Sequence, residues 1–175
     1  MTKWFTRSLM LVPAAALVLL AAEVSTDYDH HADFGRYHTY SWLGVQAGNG
    51  LWQQRIMSAV DSQLSAKGWQ KVASGGDATV SALGRVTERD NLETFYDGFP
   101  GWGWRGWAGM GTATTEVVPE KIGTLTVDIF DGNTRQLIFR GTASDAVSGK
   151  PEKSERKMEE SVDKIFKHFP PPAKG

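Results

Sequence analysis

The fold is decided by residues 124–140, which read TLTVDIFDGNTRQLIFR. From Thr124 to Ile129, polar and apolar side chains alternate, which is the period of a strand with one buried face. An Asp131-Gly132 pair follows, and such a pair is a favoured hairpin connection because its positive-φ positions match the twist of the strands. A second apolar run, LIF, comes after the turn. The stretch therefore predicts two antiparallel strands joined by a tight hairpin.

Two more strands are predicted upstream of this hairpin. Residues 37–43 are aromatic and β-branched with rough alternation, which favours a strand. Residues 79–86 also alternate, and one of their faces is built from small side chains, Ala82 and Gly84 among them. Residues 114–118 are expected to extend the sheet.

A first helix lies between these two strands in the sequence. It is predicted to begin at Asn49 or Gly50 and to stop at Lys67-Gly68, because a basic last turn followed by glycine is a helix C-terminal signal. Its buried face would carry every fourth residue, namely Trp52, Ile56, Val60 and Leu64.

A second helix is predicted over about residues 151–169, followed by three prolines that would end it. Its buried face would carry Met158, Val162, Ile165 and Phe169. The element order is then β-α-β-β-β-α. Consecutive strands joined by a hairpin indicate an α+β fold, a mainly antiparallel sheet with both helices packed on one face.

The first 22 residues have the pattern of a secretory signal peptide. Lys3 and Arg7 lie just ahead of an uncharged apolar run over residues 9–22. This run is short for a transmembrane helix. We expect residues 23–175 to form one exported domain, periplasmic or membrane-associated. The ending, Leu-Ala-Ala, is that of a lipoprotein signal, but Glu23 stands where the lipidated cysteine would be. Cleavage and anchoring therefore both stay open.

Composition excludes several classes of function. The chain has 175 residues, a formal net charge of −1 and no cysteine. Loss of the two basic leader residues would make the charge −3, whereas non-specific nucleic-acid binding needs a basic face. Without cysteine there is no thiol catalysis, no zinc–thiolate site and no lipid attached to a thiol. No nucleic-acid partner and no cofactor are expected.

Several segments together resemble a family of bacterial envelope lipoproteins catalogued only as domain-of-unknown-function family 4136. The resemblance spans essentially the whole mature chain. It rests on residues 27–29 (DYD), 32–43 (ADFGRYHTYSWL), 64–69 (LSAKGW), 123–131 (GTLTVDIFD), 137–143 (LIFRGTA) and the closing 169–171 (FPP). It implies a secreted, usually lipid-anchored periplasmic domain, and it supplies no catalytic residues. Glu23 departs from the pattern of such proteins.

The strongest candidate for a binding surface is the predicted loop over residues 98–111, GFPGWGWRGWAGMG. Exposed tryptophans could contact an envelope protein, a glycan or a membrane surface. Alternatively, the loop folds back to cover part of the sheet. Trp52 and Trp69, by contrast, are expected in the core. The candidate binding residues are Trp102, Trp104, Arg105 and Trp107.

Two clusters of titratable residues are candidate sites of chemistry. His30 and His31 lie among acidic residues, but adjacent side chains of an extended segment point to opposite faces, so no metal site is expected. Asp128 and Asp131 could form an acid–base pair only at a suitable separation. The turn alone explains Asp131, and alternation places Asp128 on the outer face of the sheet.

No nucleophile, zinc-protease or phosphate-loop motif is present in the sequence. The sequence therefore favours a non-catalytic binding or structural protein of the cell envelope, with no assigned catalytic residues. Two alternatives stay open at this point. One is an envelope hydrolase whose site forms only in the folded chain, and the other is a purely structural subunit of an envelope complex.

Overall fold

The structure, a computed structural model, describes residues 22–97 and 112–171. Within these residues the chain forms six strands, two α-helices and one short 3-10 helix. In chain order the elements are β1 (Glu23–Tyr28), the 3-10 helix (Phe34–Arg36), β2 (Thr39–Gln46), α1 (Gly50–Ala66), β3 (Gln70–Lys71), β4 (Ala78–Asp97), β5 (Thr112–Asp131), β6 (Leu137–Ala146) and α2 (Pro151–Phe166).

The six strands form one sheet in the order β1-β6-β5-β4-β2-β3. The pairs β1–β6, β6–β5 and β5–β4 are antiparallel, whereas β2 is parallel to both β4 and β3. The predicted α+β class is therefore confirmed, with a mixed sheet. The parallel pairs arise because α1 returns the chain from β2 to the end of the sheet where β2 began, and parallel strands require such a crossover.

Both helices cover the same face of the sheet, hereafter the inner face. Gly84 of β4 approaches Ile56 of α1, since a Cβ on this glycine would lie 3.1 Å from the Ile56 Cδ1. Gly141 of β6 approaches Ile165 of α2 even more closely, since a Cβ on this glycine would lie 2.2 Å from the Ile165 Cγ2. The helices run parallel, since Arg55 contacts Glu155 and, two turns later, Gln63 contacts Asp163. Both N-termini therefore lie at one end of the sheet.

Helix α1 follows the predicted pattern closely. The Asn49 side chain accepts a hydrogen bond from the Trp52 N–H at 3.1 Å and so caps the first turn. Ile56, Val60 and Leu64 are buried. Gly68 follows the C-cap with a φ of +86°, a conformation that glycine adopts without strain. Helix α1 thus has the start and stop that its sequence indicates, and three of the four residues predicted for its buried face are buried, Trp52 being the exception.

Helix α2 ends three residues before the predicted boundary, at Phe166. Val162 and Ile165 are buried as expected, and Phe169 is buried beyond the helix end. The sequence pattern missed Phe166, which is fully buried. Met158 is only partly buried. Phe169 lies beyond the helix end and makes edge-to-face contacts with Phe139 and Phe166. These contacts bury Phe169 without a further turn of helix.

The strand prediction was incomplete at the start of the chain. β1 and β3 are additional strands, and β2 begins at Thr39 rather than at Tyr37. β1 lies at the sheet edge, where only Val24 and Tyr28 contact the core, so its hydrophobic alternation is weak. Tyr37 instead closes the 3-10 helix, donating its N–H to the Phe34 carbonyl.

The predicted hairpin is present, but its turn differs from the predicted one. β5 and β6 are joined by residues 132–136, and the positive φ falls on Arg135 rather than on an Asp-Gly position. Gly132 is needed for a different reason, since a Cβ there would lie 2.2 Å from the Gly76 carbonyl oxygen. The close approach of two backbones therefore explains this glycine.

Strands β4 and β5 are much longer than predicted. They pair from Ala78 opposite Asp131 to Asp97 opposite Thr112, and β5 includes the predicted extension over residues 114–118. β2 ends opposite Leu83 and β6 ends opposite Ile122. Beyond these points β4 and β5 continue as a two-stranded ribbon past the end of the sheet that carries the helix N-termini.

Candidate functional site

A groove of about 660 Å³ lies on the inner face between the N-terminal halves of α1 and α2. At the opposite end of the same face, large aromatic side chains fill the space between helices and sheet, among them Trp69, Phe166 and Phe169. At the groove end the sheet carries small side chains instead. The groove is therefore a place where the core side chains leave the inner face of the sheet uncovered.

The floor of the groove is a row of residues paired across three strands. Gly84 of β4 lies opposite Leu125 of β5, which lies opposite Ala143 of β6. Gly123 lies two residues before Leu125 in β5, on the same face of the sheet, and also lines the floor. Two glycines and an alanine leave a low surface between the helices, and Leu125 makes that surface apolar.

The walls of the groove come from the two helices and the base of the ribbon. Trp52 and Ile56 line it from α1, and Met158 lines it from α2. Val86 lines it from β4 and is 58% exposed, a large fraction for a valine. The lining is therefore mainly apolar and lies partly open to solvent.

A bridge between the helices positions the tryptophan wall. The Arg55 guanidinium lies 5.2 Å from the centre of the Trp52 ring, and its Nε lies 3.1 Å from a carboxylate oxygen of Glu155. The cation over the ring restricts the indole, while the ion pair ties α1 to α2. The Trp52 side chain is thus held as a wall of the groove rather than packed into the core.

The lysine and the two serines that line the groove already have partners. Lys157 Nζ donates to Asp145 Oδ1 at 2.8 Å and to the Ala146 carbonyl oxygen at 3.0 Å. The Ser161 hydroxyl donates to the Lys157 carbonyl at 2.8 Å, and the Ser154 hydroxyl donates to the Ser148 carbonyl at 3.0 Å. In the part of the chain that the structure describes, no buried side-chain polar atom lacks a hydrogen bond. Apolar contact is thus the main interaction that the groove offers.

Asp128 and Asp131 do not form an acid–base pair. Both Asp128 oxygens accept hydrogen bonds from Arg140, at 2.6 and 2.7 Å, on the face opposite the helices. Asp131 is 2% exposed and accepts hydrogen bonds from the Tyr37 hydroxyl at 2.9 Å and from Arg36. Each carboxylate therefore has its own structural partners.

The Asp131 carboxylate also organises the β5–β6 turn. It accepts the backbone N–H groups of Asn133 at 2.9 Å and Thr134 at 2.8 Å. The Thr134 hydrogen bond is the main reason that the pKa of Asp131 lies well below its usual value, and Tyr37 adds to it, although burial acts in the opposite direction. A carboxyl held ionised in this way is a structural anchor for the turn.

A second polar cluster, not indicated by the sequence pattern, joins α1 to β2. Asp61 Oδ1 accepts hydrogen bonds from the Tyr40 hydroxyl at 2.7 Å and from the Trp42 indole at 2.8 Å. Lys71 Nζ lies 2.8 Å from Asp61 Oδ2. Burial, followed by the Asp61 hydrogen bond, raises the pKa of Tyr40. All partners here are internal to the fold, so the cluster fastens the helix to the sheet.

The histidine segment forms a turn rather than a site. The His31 N–H donates to Asp29 Oδ1 at 2.8 Å while the His31 side chain is 97% exposed. The His30 ring contacts the Tyr28 ring edge-on, with 4.4 Å between ring centres. Asp33 caps the 3-10 helix. Among residues 22–97 and 112–171, no group of three or more potential ligands could hold a metal ion.

The candidate loop residues Trp102, Trp104, Arg105 and Trp107 lie outside the described residues. Of the two tryptophans expected in the core, Trp69 is buried, as predicted. Trp52 is only partly buried and lines the groove, so its assignment to the core was wrong.

The groove itself was not predicted from the sequence, although one signal for it was present. The small inward face of residues 79–86 was visible as a pattern, and in the structure it supplies Gly84 of the floor. What the pattern could not supply is the pairing of this glycine with Leu125 and Ala143, because that depends on the register of three strands.

No helix in the described ranges is both long enough and apolar enough to span a bilayer.

Comparison with solved structures shows that the fold occurs elsewhere. A PDZ domain protein from Parabacteroides distasonis superposes with a TM-score of 0.58 at 11% identity, covering 89% of this chain but only 37% of that one. This chain therefore spans little more than a third of that protein. The PelC dodecamer from Paraburkholderia phytofirmans gives a TM-score of 0.48 at 12% identity, covering 83% of this chain and 94% of that one.

A minor lipoprotein from Acinetobacter baumannii gives a TM-score of 0.41 at 15% identity, covering 76% of this chain and 92% of that one. At such identities the similarity concerns the fold alone. No curated protein matches the chain. A family profile, described as "Domain of unknown function (DUF4136)", matches residues 24–171, from the first strand to the end of the described residues. Since this match covers most of the sequence, the chain belongs to the DUF4136 family.

Proposed function

We propose that this protein is a non-catalytic domain of the bacterial cell envelope that binds an apolar ligand in the groove between α1 and α2. The observation that carries the proposal is the groove itself, of about 660 Å³ and lined by Trp52, Ile56, Leu125 and Met158. This volume is in the range of small-molecule sites, which are mostly apolar with a few polar groups. The surrounding helices and sheet are well packed, so the groove is preformed.

Binding rather than catalysis is supported by the chemistry of the lining. Lys157 is held by Asp145, and the hydroxyls of Ser154 and Ser161 donate to backbone carbonyls. A nucleophile needs an adjacent base, and an acid–base pair needs two titratable groups at a suitable separation. The lining supports neither arrangement, whereas its apolar walls suit an uncharged ligand.

The cell-envelope location is proposed from the first 22 residues. Their basic start and apolar core are those of an export signal. The chain also belongs to the DUF4136 family, and its resemblance to envelope lipoproteins of that family supports the same location. In this proposal the domain works in the periplasm or at a membrane surface. Glu23 leaves a thiol-linked lipid anchor unavailable.

A second contact is proposed for the tryptophan-rich segment, with an envelope protein, a glycan or a membrane surface as partner. Replacement of Trp102, Trp104 and Trp107 by alanine should abolish this contact while the unfolding temperature stays nearly unchanged. Partner capture and thermal unfolding, measured on the same variant, test it. A marked loss of stability would show instead that these residues cover the folded core.

The groove proposal is tested by titrating the exported protein with N-phenylnaphthylamine, a neutral apolar dye that becomes fluorescent in apolar surroundings. Val86 and Leu83 lie on opposite faces of β4 and are both well exposed, at 58% and 40%. Val86→Asp places a charge in the groove and should weaken dye binding about tenfold or more. Leu83→Asp places the same charge on the outer face and should leave dye binding unchanged. Equal effects of the two variants would refute the groove as the binding site.

A further inference from the structure

We infer that the ligand of the groove is an acyl chain of a membrane lipid, taken up at the bilayer surface to which the apolar leader holds this end of the domain. This inference rests on the proposed function and gives its ligand a chemical class and a source. Three observations carry it: the point at which the leader joins the sheet, the chemistry of the lining, and the contrast between the two faces of the sheet.

The apolar run over residues 9–22 joins the fold with no linker. β1 begins at Glu23, directly after the run, and Glu23 pairs with Ser144 of β6. The next residue, Val24, pairs with Ala143, which belongs to the groove floor. The end of the apolar run and the groove therefore lie at the same end of the sheet. A leader inserted in a bilayer would hold the groove end, rather than the aromatic end, at the membrane surface.

The lining suits a chain without charge or hydrogen-bonding groups. Trp52, Ile56 and Met158 form apolar walls over a floor of Gly84, Gly123, Leu125 and Ala143. Methionine is a flexible, polarisable side chain that adapts to irregular ligands. An acyl chain gains affinity from each methylene that it removes from water, and it leaves no polar group unsatisfied in such a groove.

The charged wall residues point to recognition of the acyl chain rather than of the headgroup. Lys157, which lines the groove, is paired with Asp145 at 2.8 Å, and Arg55, which lies over Trp52, is paired with Glu155 at 3.1 Å. Arg85 also borders the groove, but it follows the inward Gly84 in β4, so strand alternation directs its side chain to the outer face. A site that selected an anionic headgroup would keep a cation available for it. We therefore expect uptake from zwitterionic and from anionic bilayers, with little dependence on salt.

The outer face offers no competing apolar site at its centre. Thr124 and Ser144 contact each other through their hydroxyls at 3.0 Å, as do Thr126 and Thr142 at 3.3 Å. Beside them Arg140 is paired with Asp128. Hydroxyl rows and an ion pair are well solvated in water and gain nothing from an acyl chain. The two faces of one sheet thus provide a matched pair of surfaces for the test.

The experiment uses the full, uncleaved chain in phosphatidylcholine vesicles that contain a phosphatidylcholine with a diazirine near the methyl end of one acyl chain. After photolysis and proteolysis, mass spectrometry locates the lipid adducts. We expect adducts on peptides that contain Trp52, Val86 or Met158. Adducts on the leader measure membrane association in the same sample, so the groove yield is expressed relative to them.

A matched pair of variants makes the result specific. Val86→Trp fills the groove from its open side and should lower the relative groove yield about tenfold. Leu83→Trp adds the same indole to the outer face of the same strand and should leave the yield unchanged. Equal unfolding temperatures of the two variants exclude a folding defect, and Val86→Asp replaces Val86→Trp if the latter is unstable.

Three results would overturn the inference. Adducts confined to the leader would show that the groove holds no acyl chain, and so would equal yields from the two tryptophan variants. Groove adducts obtained only with phosphatidylglycerol vesicles would show that the headgroup is the recognised part. If the dye binds the groove while the lipid adducts stay on the leader, the acyl-chain inference fails and the proposed function stands. If the dye also fails to bind, both fail.

Discussion

At the scale of single residues, Asp131 shows how one carboxylate can join segments far apart in the sequence. It accepts hydrogen bonds from Tyr37, near the start of the chain, and from Asn133 and Thr134 in the β5–β6 turn. The turn geometry alone would account for the last two contacts. The contact with Tyr37 makes the same residue a clasp between the 3-10 helix segment and the hairpin.

Asp131→Asn should lower the free energy of unfolding by about 2 kcal/mol at neutral pH, because hydrogen bonds to an ionised group are lost in a buried site. The pKa of Asp131 is lower in the folded protein than in the unfolded chain. Its contribution is therefore complete above the unfolded-state pKa, near 4, and is lost progressively as the pH falls from there through the lower folded-state pKa. Denaturant unfolding of wild type and variant across this pH range measures the effect.

Asp128→Asn serves as the control for that variant. Asp128 also pairs with an arginine, but on the outer face, where Arg140 is about half exposed. An exposed ion pair contributes less than about 1 kcal/mol. A loss as large as that of Asp131→Asn would contradict the special role assigned to the buried carboxylate.

Gly141 shows how a single missing Cβ places a helix. A Cβ at this position would lie 2.2 Å from the Ile165 Cγ2, so Gly141→Ala must displace the Ile165 side chain or α2 itself. We expect the variant to lose about 1–3 kcal/mol of unfolding free energy, the usual cost of overpacking. Gly44→Ala, where a Cβ meets nothing within 4 Å, should change stability by less than about 0.5 kcal/mol. Thermal unfolding of the two variants provides the comparison.

At the scale of elements, the ribbon formed by β4 and β5 beyond the sheet differs from the rest of the fold. Within the sheet, β4 is flanked by β2 and β5, whereas beyond Leu83 it pairs with β5 alone. A two-stranded ribbon by itself is only marginally stable in water. The ribbon base at Val86 nonetheless supplies part of the groove wall.

Amide hydrogen exchange should therefore divide β4 and β5 into two parts. The amides of Val80 and Val127 lie in the central strands β4 and β5, where each strand has a partner on both sides, and should exchange at rates close to those of global unfolding. Amides of residues 88–97 and 112–120 should exchange much faster, by several orders of magnitude. Uniform protection along both strands would contradict this division and would imply that another surface covers the ribbon.

The elements also show what the sequence could reveal. α1 was predictable because its cap, its four-residue spacing and its terminal glycine all lie within one segment. β1 and β3 were not, since one is a polar edge strand and the other has two residues. The groove combines residues of α1, α2 and four strands, so its volume depends on packing that no local pattern records.

At the scale of the whole molecule, the side chains of the inner face are large at one end of the sheet and small at the other. The end with large side chains is packed, and the end with small side chains holds the groove. Large aromatics such as Phe139 and Phe166 fill the end where the helices finish. Glycine and alanine leave the other end open, where the helices begin and the chain enters from its leader. The open end, where the ligand is proposed to bind, is thus also the end that the leader is proposed to hold at the membrane.

Cell fractionation with mass spectrometry of the N-terminus tests that orientation. We expect the protein in the envelope fraction; a retained leader supports the orientation, whereas cleavage near Glu23 would remove the anchor on which the orientation and the acyl-chain inference depend. The basic start and apolar core of the first 22 residues are the physical reason. Recovery of an uncleaved chain from the cytoplasm would contradict the proposed location and leave the groove without a membrane source of ligand.

The most direct test of ligand binding is a map of backbone amide chemical shifts during titration of the exported protein with N-phenylnaphthylamine. We expect the shifts to concentrate at Gly84, Gly123 and Ala143 on the groove floor and at Met158 on its wall, if the groove binds the dye. Shifts confined to the outer-face residues Ser81 and Thr142, or no saturable shifts at all, would contradict binding in the groove.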